Sequence, residues 1–319
     1  MTGKYDIEVY NNRIHYFLTV KRNITVIQGN SATGKTELIR LINDNIVNGN
    51  SSGITLKCEV ACRVLTSDDW DIRLSAMQNS IIFIDETANF IKTQKFAEMV
   101  RGSDNYFVIV TRDALSQLPY SIDEIYGLKN VSDSSKYKTY KKIYNEMYKI
   151  YNFHSYEKFT PSKVITEDSN SGYECFSRIY PEICISACGK TKIYKLLRNF
   201  QNEKIIIIVD GAAFGSEIEK LYKFITLFNG NYILFAPESF EFLLLKSGIV
   251  SVSQSIIEET FNHADSKLYM SWEEFYTDYL IKQTKGTVFQ YNKAKLKESY
   301  LSEGSLDKIK NQLPEQIRS

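Results

Sequence analysis

The 319-residue chain is sparing with the residues that build secreted, fibrous and membrane proteins. Its five cysteines are an odd number spread along the whole length, so reduced thiols in a cytoplasmic setting are expected rather than a disulfide framework. Cys58/Cys62 and Cys184/Cys188 are both C-x3-C pairs, but zinc wants four N or S ligands at matched spacing. His15, His154 and His263 sit in no such cluster, which argues against a zinc site. With 15 glycines and 5 prolines the chain is neither collagen-like nor of low complexity. Its longest apolar runs, such as Ile205 to Val209, are about five residues, whereas a membrane helix needs about 20. The stretch Met1 to Asn12 has no basic-then-apolar pattern, so no secretory leader is expected. Charge of one sign is also lacking: 39 Lys and Arg face 38 Asp and Glu, a formal +1. That excludes a wholesale electrostatic binder of nucleic acid or membrane and leaves room only for a local basic patch.

Hydrophobic residues are plentiful, at 43%, enough for a sizeable core. Tyr (22) and Phe (18) are abundant, in the manner of an AT-rich genome, so single tyrosines carry little functional weight. The length suggests two domains, or one large one. We expect an α/β protein: a nucleotide-binding parallel-sheet domain over 1–132, a helical linker over 133–160, and a second, smaller α/β domain with C-terminal helices over 161–319.

Residues 23–28 (NITVIQ) have strand character and lead into Gly29-Asn30-Ser31-Ala32-Thr33-Gly34-Lys35-Thr36, a G-x-x-x-x-G-K-T run without mismatch. Leu38, Ile39, Leu41 and Ile42 then recur at helical spacing. Strand, glycine loop and helix are the context in which backbone N–H groups and a helix N-terminus cradle phosphates. Lys35 is placed to reach the β- and γ-phosphates of ATP, and Thr36 to hold Mg²⁺. A second signal is Ser80-Ile-Ile-Phe-Ile-Asp85-Glu86, a buried strand ending in two acids. Asp85 suits the Mg²⁺ shell, and Glu86 the polarisation of an attacking water. A third strand, Tyr106 to Val110, ends in Thr111-Arg112. No N-K-x-D is present, so guanine selectivity has no support. Leu74-Ser-Ala-Met-Gln78 reads as an amphipathic helix leading into the Asp-Glu strand.

The paired acids after the glycine loop resemble the additional-strand, catalytic-glutamate class of P-loop ATPases, which includes AAA+, ABC and RecA-like proteins. That resemblance implies ATP hydrolysis rather than small-molecule phosphorylation. It also implies that Thr111 senses the γ-phosphate and that Arg112 or Arg101 stabilises transition-state charge, in cis or from a partner subunit.

Between the halves, Tyr137, Tyr140, Tyr144, Tyr148 and Tyr151 are spaced 3, 4, 4 and 3 apart in a lysine-rich stretch with Ile143 and Met147. The spacing predicts one helix face, for packing between domains or for stacking nucleic acid. Further on, apolar runs alternate with helical patterns. Lys163–Thr166 leads to Glu167-Asp168, Ile183–Ala187 to Cys188-Gly189-Lys190, Lys204–Val209 to Asp210-Gly211-Ala212, and Tyr232–Ala236 to Pro237-Glu238. This predicts a parallel sheet with acids at its carboxyl edge, where such sheets bind ligands. A stripe of Trp272, Phe275, Tyr276, Tyr279 and Leu280 predicts closing helices after about residue 253.

The order of these elements resembles the TOPRIM fold of topoisomerases, primases and some nucleases. Glu167, Gly189 and Asp210 match that family's Glu, Gly and first Asp, and Ala212 replaces its second Asp. The resemblance implies Mg²⁺ held by Glu167 and Asp210, with Glu217, Asp168 or Glu238 as substitutes for the missing acid. An ATPase followed by TOPRIM is similar to the overcoming-lysogenisation-defect nucleases of phage defence, although those carry an ABC-type ATPase that this chain lacks. Two readings follow. One is an ATPase with a metal-dependent nuclease domain acting on nucleic acid in mobile-element or defence biology. The other is a nucleotide-gated binding protein, with a protein partner or a second copy of itself, and no nuclease. A plain α/β domain with acidic loop ends, and a decayed phosphate loop at Cys184 to Thr191, are further readings of the second half.

Overall fold

A computed structural model of the chain describes residues 1–29, 34–66, 68–132, 142–153, 158–228 and 230–318. The chain divides into two compact units: Met1–Ile150 with Phe261–Ser271, and Tyr151–Thr260 with Trp272–Ser319.

The first unit is built on a nine-stranded sheet. Its strands are β1 (Tyr5–Tyr10), β2 (Ile14–Val20), β3 (Ile24–Ile27), β4 (Thr55–Lys57), β5 (Ala61–Val64), β6 (Ser80–Ile84), β7 (Tyr106–Val110), β8 (Ile125–Asn130) and β9 (Ile143–Lys149). They lie in the order β4-β1-β2-β9-β8-β3-β7-β6-β5. The run β8-β3-β7-β6-β5 is parallel throughout. Strands β3, β6 and β7 are buried along their whole length, as their unbroken β-branched and aromatic sequences require. Strand β7 stands between β3, which feeds the glycine loop, and β6, which carries Asp85 and Glu86 at its end. The other end of the sheet is mainly antiparallel, with alternating burial on β1 and β2. Helix α1 (Lys35–Asn48) buries Leu38, Ile39, Leu41 and Ile42 against Ile27, Phe83 and Val108. Each such side chain contributes about 1.5–3 kcal/mol by leaving water. Short helices α2 (Trp70–Ser75) and α3 (Gln94–Val100) precede β6 and β7.

The segment Phe261–Ser271 completes this unit. Gly3 N–H donates to the Phe261 carbonyl (2.7 Å), and the Asn23 side-chain amide donates to the carbonyls of Ser266 (3.2 Å) and Tyr269 (2.9 Å).

The expected helix face between the halves is corrected here. Ile143–Lys149 is strand β9, paired parallel to β2 and antiparallel to β8. A spacing of four residues suits both a helix turn and two strand repeats, so the pattern alone did not discriminate. Tyr148 lies opposite Gly127 on β8, and its ring fills the space a Cβ there would need. Tyr144 stacks towards His15 and Phe17. Tyr151 belongs to the second unit and packs on Phe153 and Tyr222. Tyr137 and Tyr140 lie outside the described residues.

The second unit holds a four-stranded, wholly parallel sheet in the order β11-β10-β12-β13, made of β10 (Lys163–Thr166), β11 (Cys184–Ser186), β12 (Ile205–Ile208) and β13 (Tyr232–Phe235). Helices α4 (Ser171–Ile179), α5 (Lys190–Leu197), α6 (Gly215–Leu227) and α7 (Phe240–Lys246) alternate with the strands. Helices α8 (Gln254–Glu258), α9 (Trp272–Thr284), α10 (Glu298–Leu301) and α11 (Glu303–Lys310) follow, in keeping with the apolar stripe after residue 253. No helix among the described residues is long and apolar enough to cross a membrane.

Candidate functional site

Strand β3 delivers the chain to Gly29, whose φ of +132° only glycine adopts freely. Asn30, Ser31, Ala32 and Thr33 lie outside the described residues. The loop ends at Gly34, left-handed at φ +85°, where a Cβ would sit 2.6 Å from the Tyr16 hydroxyl. That hydroxyl donates to the Gly34 carbonyl at 2.8 Å and fixes the start of α1. The N-cap of α1 is Gly34, which has no side chain with which to cap the helix. Lys35 is buried, and its Nζ donates to the Gly29 carbonyl at 2.9 Å. Burial lowers its pKa; Glu86 opposes that shift and Arg112 adds to it.

Asp85 and Glu86 follow β6 directly. Thr36 and Asp85 line one cleft of about 400 Å³, together with Arg40, Asn43, Thr66 and Asp68. The Glu86 amide donates to Asp85 Oδ1 at 2.8 Å, which orients that carboxylate. Glu86 is paired with Arg112, with Nε 3.1 Å from Oε2 and a terminal guanidinium nitrogen 3.3 Å from Oε1. The two side chains expected to play separate roles therefore hold each other. Thr111 follows β7 next to β3, its amide donating to the Ile27 carbonyl at 3.2 Å. Its buried hydroxyl accepts from Asp113 N–H (3.0 Å) and donates to the Asp113 carbonyl (3.2 Å). Arg101 sits at the end of α3, ahead of β7, on the opposite edge of the parallel strands from the glycine loop.

A second constellation lies in the other unit. Glu167 and Asp210 follow the adjacent parallel strands β10 and β12, and Glu167 Oε2 accepts the Asp210 amide at 3.2 Å. Asp210 Oδ1 accepts from Phe240 N–H at 2.9 Å. The turn after Asp210 depends on Gly211, where a Cβ would lie 2.8 Å from the carbonyl oxygens of both Ala236 and Pro237. Burial pushes Glu167 up to about 7, with Glu273 and Asp168 adding to the shift against the Asp210 amide and Lys190. Asp210 is raised well above the usual carboxylate range by burial and by Glu273, Glu241 and Glu167.

Glu241 on α7, Glu273 on α9, Tyr291 and Lys293 were not singled out by the sequence. Lys293 Nζ is 2.6 Å from Glu273 Oε1 and 3.9 Å from Glu241 Oε1. The Tyr291 hydroxyl donates to Glu241 Oε1 at 2.7 Å and bonds the Ser171 hydroxyl at 2.9 Å. These residues lie 74 to 126 positions from Glu167 in sequence, so no local motif signals them. Of the expected substitutes for the missing acid, Glu217 approaches Lys220 at 4.0 Å, and Asp168 is raised in pKa, chiefly by burial. Ala212 is buried and offers no ligand atom. Among the described residues, no three His, Cys, Asp or Glu side chains are disposed to hold one metal ion. All five cysteines are free thiols.

Compared with known protein families and with curated proteins, the chain matches none.

Proposed function

We propose that the first unit binds and hydrolyses ATP with Mg²⁺ in the manner of a P-loop ATPase of the additional-strand class. The observation that carries this reading is that Thr36 and Asp85, 49 positions apart in sequence, line the same cleft at the start of α1. A hydroxyl at the start of α1 and a carboxylate at the end of a parallel strand fit a nucleotide-bound Mg²⁺, which would neutralise phosphate charge there. Strand β7, placed between β3 and β6, supports the class. Lys35 exchanges its bond to the Gly29 carbonyl for phosphate oxygens. The N-terminus of α1 adds amide donors and the positive end of the helix. Glu86 orients and deprotonates the attacking water once its pair with Arg112 opens, and Arg112 is thereby released towards the developing charge. The test is Mg²⁺-dependent ATP turnover in wild type and Asp85→Asn. Loss of Mg²⁺ dependence in the variant supports the reading, and equal Mg²⁺ titrations in both overturn it.

For the second unit we favour a nucleotide-gated binding role over a metal-dependent nuclease. The buried Ala212 is the specific observation behind this preference. Mg²⁺- or Mn²⁺-dependent cleavage of DNA or RNA that is lost in Asp210→Ala would restore the TOPRIM nuclease reading.

A further inference from the structure

The glycine loop ends on a peptide that is held from two sides. The Gly34 carbonyl accepts the Leu38 N–H at 2.9 Å, a helical bond at the start of α1, and the Tyr16 hydroxyl at 2.8 Å. A trans peptide points its carbonyl and its N–H in opposite directions. Fixing the Gly34 carbonyl therefore also fixes the Lys35 N–H, which points out of the helix N-terminus. The tyrosine stands so close that a Cβ at position 34 would lie 2.6 Å from its hydroxyl. Tyr16 has little freedom of its own. It is fully buried on β2, opposite Val9 of β1 and Asn145 of β9, in the core that also receives Leu38 and Leu41 of α1. In the sheet, β9 and β8 separate β2 from β3, which feeds the loop, yet the phenol reaches the loop's far end. Burial, with Glu37 adding to it, raises the Tyr16 pKa, so the hydroxyl keeps the proton it donates.

We infer that Tyr16 is a positioning residue of the nucleotide site: it holds the Gly34–Lys35 peptide so that the Lys35 N–H presents to a phosphate oxygen. The antiparallel flank of the sheet thereby becomes a support for the glycine loop. The inference rests on the nucleotide reading of the first unit. Without the hydroxyl, the Gly34 carbonyl keeps its bond to Leu38 N–H, so no buried acceptor is orphaned and the fold persists. What is lost is the second restraint on the peptide's direction. An amide that meets phosphate in the ground state and in the transition state alike contributes uniform binding. Its misalignment therefore weakens nucleotide affinity without slowing bond cleavage.

The experiment is equilibrium binding of ATP and ADP by calorimetry, beside steady-state Mg²⁺-dependent turnover, on wild type, Tyr16→Phe and Tyr106→Phe. Tyr106 is the matched control: it too is buried in the first unit, and its hydroxyl also donates to a backbone carbonyl, that of Gly3, at 3.2 Å. Circular dichroism checks that each variant folds, and Tyr16→Met replaces Tyr16→Phe if the latter does not. The expected result is a loss of affinity for both nucleotides of about three- to tenfold in Tyr16→Phe, the net worth of one hydrogen bond. KM should rise to match, with kcat within about twofold of wild type. Tyr106→Phe should bind both nucleotides as wild type does. A folded Tyr16→Phe, or its Met replacement, with wild-type affinity overturns the inference. So does a Tyr106→Phe that loses as much, since the effect would then be one of general stability, and so does a fall in kcat at unchanged KM. Wild type that binds neither nucleotide overturns the nucleotide reading itself and this inference with it.

Discussion

Glu86→Gln separates chemistry from folding, because the structure sets the two magnitudes far apart. Glu86 touches Arg112 through two hydrogen bonds, but the Glu86 side chain is 31% exposed and that of Arg112 is 52% exposed. A pair so open to solvent contributes about 0.2–1 kcal/mol to stability. The amide variant keeps its volume and one acceptor, so the melting curve should barely move. Loss of a general base costs about 10²–10⁴ in rate. That is about 2.7–5.5 kcal/mol of barrier. ATP affinity should be unchanged, because Lys35, Thr36 and the start of α1 are untouched. The assay is single-turnover hydrolysis of γ-labelled ATP beside equilibrium binding of the same nucleotide. Wild-type turnover in Glu86→Gln would remove this carboxylate from the mechanism and reopen a phosphotransfer role. Loss of binding in step with turnover would show that Glu86 serves the site structurally.

Lys35→Ala should abolish nucleotide binding in calorimetry while the protein still folds, because it removes the ammonium that holds the Gly29 carbonyl and would meet phosphate; unchanged ATP affinity would refute the assignment. Gly211→Ala forces a methyl against two backbone carbonyls and should destabilise the second unit by about 1–3 kcal/mol in urea unfolding; an unchanged midpoint would contradict the packing at that turn. Glu124 is fully buried beside Arg22 (3.1 Å) and Lys21 (3.7 Å), and Glu124→Gln removes a buried counter-charge from them, so about 3–5 kcal/mol of stability should be lost in the same assay. Glu167, raised by burial to about 7, binds its proton more tightly folded than unfolded. Its contribution is therefore complete below pH 4.5 and declines as pH rises towards and through 7. Comparing denaturation at pH 5 and pH 8, Glu167→Gln should lose less stability across that interval than wild type.

Five of the parallel strands were legible because each is a short apolar run bounded by turn residues, whereas β5 and β8 mix exposed with buried positions and gave no such run. β3, β6, β7, β10 and β12 all have that form, and each is buried along most or all of its length. β1 and β2 bury alternate residues and mix charge with aromatics, so no contiguous run announces them. Strand β9 was misread because its tyrosines repeat at four, a number both periodicities share. In the first unit the motif residues Thr36 and Asp85 meet in one cleft, since strand ends and helix starts converge at the carboxyl edge of a parallel sheet. Glu167 and Asp210 meet for the same reason. The pairing of Glu86 with Arg112 depends on loop conformation after two strands, which spacing does not encode. Lys293 was illegible because it arrives from the far end of the chain, held by backbone bonds rather than by a repeat.

The return of Phe261–Ser271 to the first unit bears on the order of events at the ribosome. A protein whose domains follow one another can finish the first before the second exists. Here the carbonyls that satisfy Gly3 and Asn23 belong to residues 261–269, made only after the intervening stretch of about 110 residues. At ribosomal speed that delay is on the order of 10 s. During it the edge of the nascent first unit stays open, with the donors of Gly3 and Asn23 answered only by water. A nascent chain halted near residue 255 should therefore present that unit in a protease-sensitive form, and one halted far enough beyond residue 271 to clear the exit tunnel should present it closed.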